Sequence, residues 1–372
     1  MNGREDAAGR AEKTIRSAIC STSAPVRTTP FNHTRHRERG WVVAGASMIF
    51  FLLTFVSSIK AGGTTVSDYR LFTAIGQSQI DKKTCVILRK FRMGNQTYYL
   101  TVNPQDLITQ IRPSKELKAT EAPLVKIEET YKDSLFSKTV DDAERHSDLL
   151  QDAGITRSLP RQTGVNLTID LCPSARPLDR NLFMDLIKEF GVVETPVPIA
   201  VSLTGVWMEG HPDDLAWLLD LVKQGRISIL WINHSYHHRS GSNLPLKRNF
   251  LLEKGTNINF EVLQTEAKMI EHGIVPSVFF RFPGLVSDSK IFQTITNFGL
   301  IPVGSDAWLS KNQRPKDGSI VLIHANGNDP IGIKRFLTLI RKERAKIMER
   351  EWLLFDLRES IVETEALPHK AP

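Results

Sequence analysis

The region from Gly164 to Glu343 alternates short apolar runs with amphipathic segments, and this alternation limits the fold more than any other feature. Short continuous apolar runs are typical of strands that are buried on both faces, and the amphipathic segments have helical periodicity. Strands joined by helices form a parallel sheet, so we expect an α/β fold, either a (β/α) barrel or a doubly wound sheet. The apolar runs are VNLTID, VPIAVSL, ISILWIN, PSVFFRF, LIPVGSD and SIVLIHA.

Polar side chains stand where five of these apolar runs end. In a parallel β/α fold the carboxyl ends of the strands meet at one face, where substrates bind. Each residue taken singly also fits a structural role, because an aspartate can cap a helix and a histidine can be hydrogen bonded in a core. Taken together, they predict a functional site. The five residues are Asp170, His234, Arg281, Asp306 and His324.

An uncharged apolar run at residues 41–59 is long enough to cross a membrane, because about 1.5 Å per residue spans a hydrocarbon core of roughly 30 Å. Arginines precede it, so we expect a basic leader at residues 1–40 in the cytosol and the rest of the chain on the periplasmic side. A retained signal anchor in the inner membrane is favoured. A cleaved signal peptide is the alternative, because Val56-Ser57-Ser58 provides small residues.

Residues 62–160 have a different pattern from the region that follows. The runs TCVILRKF and QTYYLTV flank the turn Met93-Gly94-Asn95, which predicts a β-hairpin. Residues 112–161 are rich in charged side chains and predict a linker with some helix. We therefore expect an accessory β region and charged linker at 62–160, followed by a catalytic domain at 161–372.

Composition excludes some classes of protein. A chain of 372 residues with 41% hydrophobic residues can bury one large core and a small satellite domain. Its net charge is +7, of which residues 1–39 carry a net four, so nucleic-acid binding is not expected. The three cysteines form no paired metal motif, and only Cys85 and Cys172 could form a disulfide outside the cytosol.

Five short motifs resemble, in chain order, those of the polysaccharide deacetylase family of carbohydrate esterases, which includes chitin, peptidoglycan and chitooligosaccharide deacetylases. The match covers about residues 164–340 and implies a distorted (β/α) barrel. Each motif alone is weak, whereas their order and spacing together are specific. The motifs are Thr168-Ile169-Asp170-Leu171-Cys172-Pro173 for T-F-D-D-G-P, His234-Ser235-Tyr236-His237-His238 for H-[ST]-x-x-H, Arg281-Phe282-Pro283-Gly284, Asp306-Ala307-Trp308 and Leu322-Ile323-His324.

The resemblance implies a hydrolase that removes N-acetyl or O-acetyl groups from an acetylated amino-sugar glycan. By position, Asp170 would be the general base, and Arg281 would keep it ionised. His324 would be the general acid, oriented by Asp306. Substrate contacts are expected from Tyr236, Pro283 and Trp308.

The resemblance also implies a divalent metal, Zn²⁺ or alternatively Co²⁺ or Ni²⁺, on His234 and His238, with His237 pointing elsewhere. Both imidazoles reach one ion if the segment turns helically after its strand. The backbone N–H groups of Ser235 or Tyr236 are candidates for stabilising an oxyanion.

Leu171 departs from the family pattern, because the second aspartate of the first motif is a metal ligand in the family. Three outcomes are open. Asp179 in the ARPLDR segment reaches the ion, Asp170 changes from base to ligand, or no catalytic metal binds. A metal-free site would suit a small-molecule amidase or imidase acting on non-peptide C–N bonds, or a non-catalytic glycan-binding relative. The acid–base residues are all present, which favours an enzyme.

Overall fold

A computed structural model of the protein describes residues 65–361. The predicted leader and the membrane segment at 41–59 lie outside these residues. None of the helices within residues 65–361 combines the length and the apolar character that crossing a bilayer requires. The described chain contains a five-stranded antiparallel sheet followed by an eight-stranded parallel sheet.

The antiparallel sheet is built from the first part of the described chain and has the order β4-β3-β2-β1-β5. The predicted hairpin is confirmed, because β2 and β3 pair up to Met93 and Gln96 and leave a two-residue turn. Gly94 in that turn has φ 57°, a conformation that glycine adopts without strain. The strands are β1 (Val66–Ser78), β2 (Thr84–Met93), β3 (Gln96–Val102), β4 (Thr109–Pro113) and β5 (Leu117–Glu121).

The charged stretch at residues 112–161 is more ordered than a linker. It contributes the end of β4, all of β5, and two helices that pack on the rest of the protein. Ile127 and Phe136 from these helices are fully buried in a core that also contains residues of the parallel sheet. The helices are α1 (Leu124–Thr130) and α2 (Leu135–Glu144).

The parallel sheet has the order β10-β9-β8-β7-β6-β12-β11, with β13 paired beside β6. Neighbouring strands in space are neighbours in the chain, and β12 returns to pair with β6. This is the order of a barrel, and within residues 65–361 no ladder joins the edge strands β10 and β11, so the barrel stays open there. The strands are β6 (Gly164–Leu171), β7 (Val197–Leu203), β8 (Ile227–Asn233), β9 (Phe279–Phe280), β10 (Ile301–Pro302), β11 (Ala307–Trp308), β12 (Ile320–His324) and β13 (Leu353–Leu354).

Helices connect most of these strands, as the amphipathic segments predicted, and the α/β class is confirmed. Most begin at a capping side chain; α7, for example, is capped by Asp288, which accepts a hydrogen bond from the Ile291 N–H. The helices are α3 (Arg180–Phe190), α4 (Gly205–Gly210), α5 (Pro212–Lys223), α6 (Ile258–Glu271), α7 (Ser289–Asn297), α8 (Pro330–Met348) and α9 (Leu357–Ser360).

The side chains of β6 form an apolar outer face and a polar inner face. Alternate side chains point to opposite faces of a strand. Residues 165, 167, 169 and 171 join the apolar core that also holds Leu182 of α3 and Phe336 of α8. The buried polar residues Asn166, Thr168 and Asp170 occupy the alternate positions. The same alternation continues to Cys172, so the inner face of β6 leads directly into the candidate site.

A buried ion pair joins the antiparallel sheet to α6. The Arg89 guanidinium donates to the Glu266 carboxylate at 2.7 and 3.0 Å, and neither side chain is exposed. It also donates to the Leu88 and Phe298 carbonyls at 2.9 and 2.6 Å, and the Tyr69 hydroxyl donates to Glu266 at 3.0 Å. This fully hydrogen-bonded arrangement is the condition under which a buried ion pair is tolerated.

Candidate active site

A cavity of about 200 Å³ lies at the carboxyl ends of the parallel strands. A more open groove of about 410 Å³ lies on β1 and β5, but Glu121 is the one titratable side chain in its lining. The chemistry therefore concentrates in the smaller cavity. Its titratable side chains are Asp170, Cys172, His234, His238 and His324, and Phe250, Leu285, Leu322 and Trp308 contribute apolar wall.

Asp170 and His324 meet because their strands are in register. Strands β6 and β12 are parallel neighbours, and Asp170 is paired with His324 at the carboxyl end of the ladder. The inner face of β12 carries Leu322 and His324, whereas Val321 and Ile323 lie in the outer core. The two residues are 154 positions apart in sequence, and strand pairing alone places them in one cavity.

Arg281 holds the Asp170 carboxylate from the buried side. Its Nη1 lies 3.3 Å from Asp170 Oδ1 and donates to Thr168 Oγ1 at 2.8 Å, while Nη2 donates to the Gly304 carbonyl at 3.0 Å. Burial raises the pKa of the Asp170 carboxyl, but the opposing influences, of which the positive charge of Arg281 is the largest, outweigh burial, so this pKa lies below its usual value. The predicted pairing of Asp170 with Arg281 is present.

His324 lies next to Asp329, a residue that belongs to none of the sequence motifs. His324 Nδ1 lies 3.7 Å from Asp329 Oδ2, and neither atom has a hydrogen-bond partner among the described residues. This separation suits an ion pair and is too long for a hydrogen bond. The interaction with His324 lowers the pKa of the Asp329 carboxyl to about 2. With Nδ1 turned to Asp329, Nε2 is the nitrogen left for a substrate.

Asp306 does not orient His324, which corrects the prediction from its motif. Its carboxylate accepts hydrogen bonds from the Ser319 hydroxyl and the Ile320 N–H, both at 3.1 Å. These groups lie at the start of β12, and His324 lies at its end, about 13 Å further along the strand at 3.3 Å per residue. Asp306 therefore secures the amino end of β12, opposite to the site.

His234 presents one free nitrogen to the cavity. Its Nδ1 lies 2.8 Å from the Arg281 carbonyl, which requires a proton on Nδ1 and leaves the lone pair on Nε2. Nε2 lies 3.6 Å from both Asp170 Oδ2 and Cys172 Sγ. Burial lowers the pKa of the His234 imidazole, which favours the neutral form that binds metals.

His238 joins His234 through a turn that is not helical, although a helical turn was the condition under which both imidazoles were expected to reach one ion. Ser235 and His238 have φ 68° and 47°, in the left-handed region that few side chains adopt. The two rings nonetheless meet, with centroids 4.8 Å apart. Burial lowers the pKa of His238 to about 3, so this imidazole is neutral as well. His237 points to Glu261 instead, as predicted, with its Nδ1 2.7 Å from that carboxylate.

Glu261 of α6 holds the turn in this shape and occupies the N–H groups that were candidates for an oxyanion hole. Its carboxylate accepts the backbone N–H groups of Tyr236 and His237 at 2.8 and 2.9 Å. The Ser235 N–H donates to the Asn233 side chain at 3.0 Å. Both candidate donors, those of Ser235 and Tyr236, are therefore already used inside the protein, and the structure does not support that prediction.

Leu171 stands where the family pattern has its second aspartate, and its apolar side chain cannot bind a metal. The Leu171 side chain is fully buried in the outer core and turned from the cavity. Asp179 is the N-cap of α3, where its carboxylate accepts the Leu182 N–H at 3.4 Å, and it is not among the cavity-lining residues. Cys172 does line the cavity, and its Sγ belongs to a group of three donor atoms with His234 and His238. Cys172 and Cys85 are both free thiols, so the disulfide considered from the sequence is not formed.

The three predicted substrate contacts have different fates. Trp308 lines the cavity, and its ring lies 5.9 Å from the His324 ring. Tyr236 is 8% exposed and donates its hydroxyl to Glu209 at 2.6 Å, so it supports the turn and does not line the cavity. Pro283 is buried beside Gly284, which has φ 62°, and a Cβ there would overlap the Phe250 ring. Pro283 itself does not line the cavity, whereas its neighbour Gly284 and the Phe250 ring do.

No family model matches this chain. Several solved structures resemble it at low sequence identity. A family 4 carbohydrate esterase from Bacillus anthracis has 17% identity and a TM-score of 0.41, and the match covers 59% of this chain and 90% of that one. The chitin deacetylase from the fungal pathogen Colletotrichum lindemuthianum has 17% identity and a TM-score of 0.38, and the match covers 56% of this chain and 92% of that one. A CE4 family pseudoenzyme from Bacillus anthracis has 19% identity and a TM-score of 0.39, and the match covers 57% of this chain and 70% of that one.

These neighbours belong to the family that the five motifs resemble, and they include both enzymes and a pseudoenzyme. At such identities and TM-scores the likeness assigns a role to no residue of this chain.

Proposed function

We propose that this protein is a hydrolase that removes acetyl groups from the nitrogen, or alternatively an oxygen, of an amino-sugar glycan. The observation that carries the proposal is the pairing of Asp170 with His324 across one cavity, beside two neutral histidines. Amide hydrolysis needs a base for the attacking water and an acid for the leaving amine. The cavity holds one candidate for each at the ends of adjacent strands.

Asp170 is the general base in this proposal. Its Oδ1 contacts Arg281, whereas Oδ2 is turned toward His234 and the cavity. A carboxylate that is kept ionised inside a buried site is ready to accept a proton from a water molecule. Arg281 is fully buried and does not line the cavity, so its role is to position Asp170.

His324 is the general acid. Its Nδ1 faces the Asp329 carboxylate, which fixes the ring orientation. Nε2 then delivers the proton to the amine nitrogen as the C–N bond breaks. Asp329 takes the positioning role that the motif resemblance had assigned to Asp306.

His234 and His238 are the residues that would hold a divalent metal. Both are neutral, His234 is buried and His238 is partly buried, and the second nitrogen of His234 is fixed by a carbonyl, which is the usual arrangement for a metal-binding histidine. When bound, the metal supplies Lewis acidity toward the amide carbonyl and the attacking water. The donor set fits Zn²⁺ or Co²⁺ better than Mg²⁺, which prefers oxygen ligands.

The size of the cavity supports a small reacting group. At about 200 Å³ it is below the roughly 300–1,000 Å³ of typical ligand pockets. An acetamido group fits inside while the sugar to which it is attached stays at the mouth, near Trp308. The predicted signal anchor at residues 41–59 places this glycan on the periplasmic side of the inner membrane in the proposal.

Acetate release from chitooligosaccharides and from N-acetylated peptidoglycan tests the function. Full-length protein in detergent, supplied with Zn²⁺ or Co²⁺, is expected to release acetate, and Asp170→Asn and His324→Ala are expected to abolish it. Asp306→Asn is the matched control and should retain activity. Absence of turnover with every metal and glycan, while glycan binding persists in Asp170→Asn, would instead indicate a non-catalytic glycan-binding protein.

The small cavity also favours a second candidate, an amidase or imidase that acts on a small non-peptide amide. The same base and acid serve that reaction, and the whole substrate would enter the cavity. Turnover of small amides that resists chelators, without acetate release from any glycan, would select this candidate over the first.

A further inference from the structure

Three donor atoms of different kinds converge on one side of the cavity. Cys172 Sγ, one nitrogen of His234 and one nitrogen of His238 all lie within 4.8 Å of one another. Within this group, Cys172 Sγ and His234 Nε2 are 3.6 Å apart. Tetrahedral Zn²⁺, with bonds of about 2.3 Å to sulfur and 2.05 Å to nitrogen, separates these two ligand atoms by about 3.6 Å.

We propose that Cys172 is the third protein ligand of the metal, so that the ion is held by two imidazoles and one thiolate. This deepens the proposed function by naming the coordination of the same site, and it rests on the side chains whatever the substrate. The thiol proton leaves to solvent when the metal binds, and the thiolate electron pair forms the bond to the metal. The site then has the single anionic ligand that Leu171 cannot provide.

The fold explains why the ligand is Cys172 and no other side chain of the first motif. Asp170 and Cys172 lie on the inner face of β6 and its extension, and Leu171 lies between them on the outer face. Asp170 is held by Arg281, and Asp179 caps α3. Among the described residues, these three donors form the one group of histidine, cysteine and carboxylate side chains with the spacing of a metal site.

A loop anchored on both sides holds Cys172 in place. The Asn326 side chain donates to the Cys172 carbonyl at 2.6 Å, and His211 Nε2 lies 2.7 Å from the Ser174 carbonyl. These contacts tie the segment after β6 to the end of β12 and to α5. A pre-formed position for the thiolate lowers the cost of ordering it upon metal binding.

A thiolate ligand predicts metal selectivity and a spectroscopic signature. Sulfur favours Zn²⁺ and Co²⁺ over Mg²⁺, Ca²⁺ and Mn²⁺. Co²⁺ bound by a thiolate absorbs in the near ultraviolet through sulfur-to-cobalt charge transfer, whereas Co²⁺ bound by imidazole and carboxylate does not. This absorption depends on the coordination alone and needs no substrate or turnover.

Co²⁺ titration of metal-stripped, full-length protein tests the proposal. A Cys20→Ser, Cys85→Ser background leaves Cys172 as the one thiol, and this protein is expected to show the charge-transfer band at one equivalent of Co²⁺. Cys172→Ala in the same background should lose the band and bind Co²⁺ at least about 10- to 100-fold more weakly, the loss that removing even an outer partner of a ligand causes. Cys172→Asp should restore binding without the band, which separates loss of a ligand from loss of folding.

Stoichiometric Co²⁺ binding without the band, an unchanged band in Cys172→Ala, or failure of the wild type to bind Zn²⁺ or Co²⁺ would each overturn the assignment. The proposed function fails independently of it. If the protein shows the band but releases no acetate, Cys172 remains assigned as a ligand and the proposed function is wrong. If a metal-loaded protein releases acetate but shows no band, the proposed function stands and the assignment of Cys172 is wrong.

Discussion

Two buried arginine–carboxylate pairs in this protein differ in how completely they are satisfied. The pair of Arg89 and Glu266 has two hydrogen bonds between its members and further bonds to backbone carbonyls and Tyr69. The pair of Arg281 and Asp170 has one contact at 3.3 Å, and Arg281 Nε has no partner among the described residues. The first pair joins two layers of the fold, and the second pair lines a cavity.

The difference indicates which pair serves stability and which serves chemistry. A buried pair that satisfies all its hydrogen bonds has no capacity left for a ligand. Asp170 keeps one oxygen turned toward the cavity and His234, at the cost of weaker internal bonding. Incomplete satisfaction beside a cavity is therefore the better indicator of a functional residue than burial or charge alone.

The largest expected effect is on the second pair. Asp170→Asn keeps the shape of the side chain and removes the base, so acetate release per folded molecule should fall about 10²- to 10⁴-fold. Steady-state rates are measured at equal folded fraction, which circular dichroism and thermal unfolding establish. A variant that keeps more than a tenth of the wild-type rate would remove Asp170 from the chemistry and with it the contrast between the pairs.

The first pair is expected to respond in stability and not in rate. Glu266→Gln leaves the Arg89 charge buried without its counter-ion, which should lower the free energy of unfolding by about 3–5 kcal/mol. The double variant Arg89→Met, Glu266→Leu should lose less than Glu266→Gln, because it removes both charges. Denaturant unfolding measures each value. Equal losses in the single and double variants would contradict this interpretation.

Asp329 and Asp306 provide a matched comparison of activity. Asp329→Asn should lower the rate about 10- to 100-fold, because the carboxylate that faces His324 Nδ1 and positions the ring loses its charge. Asp306→Asn should leave the rate within about twofold, because its carboxylate holds the start of β12. The opposite ranking would restore the role that the motif had assigned to Asp306.

The smallest expected effect is a pH dependence of stability with opposite signs for these two aspartates. The pKa of Asp329 is lowered to about 2, against an unfolded value of about 3.9, so its stabilisation is complete above about pH 4 and is lost as pH falls through about 2. Burial raises the pKa of Asp306, so its ionisation opposes folding and its cost appears as pH rises. Unfolding of Asp329→Asn and Asp306→Asn across acid pH measures both trends, and parallel trends would contradict them.

Much of the site was visible in the sequence because a polar residue that ends an apolar strand is conspicuous. Asp170, His234, Arg281 and His324 were identified in this way, and β-strand pairing brings them together. Cys172 was not recognised as a cavity residue, although its spacing of two residues from Asp170 places both side chains on one face. The signal was present in the alternation of the strand.

Other features could not be predicted because they depend on register or backbone conformation. Asp306 lies beside the start of β12 only because Ala307 pairs with Val321, and no local pattern determines that register. An aspartate followed by proline is typical of a helix N-cap, and Asp329 does cap α8. The pattern gave no indication that the same carboxylate also faces His324. The left-handed Ser235 and His238 depend on Glu261, which comes from a distant helix.

Helix α6 links the two halves of the described chain. Glu261 fixes the turn that carries the two histidines, Glu266 pairs with Arg89 of the antiparallel sheet, and Glu271 accepts the Val66 N–H at 3.2 Å. A protein shortened to the parallel-sheet portion would lack Arg89, so Glu266 would lose its counter-ion. Helix α6, which supports the histidine turn through Glu261, would then be less firmly held. Protein engineers who transplant this module should carry the small sheet with it.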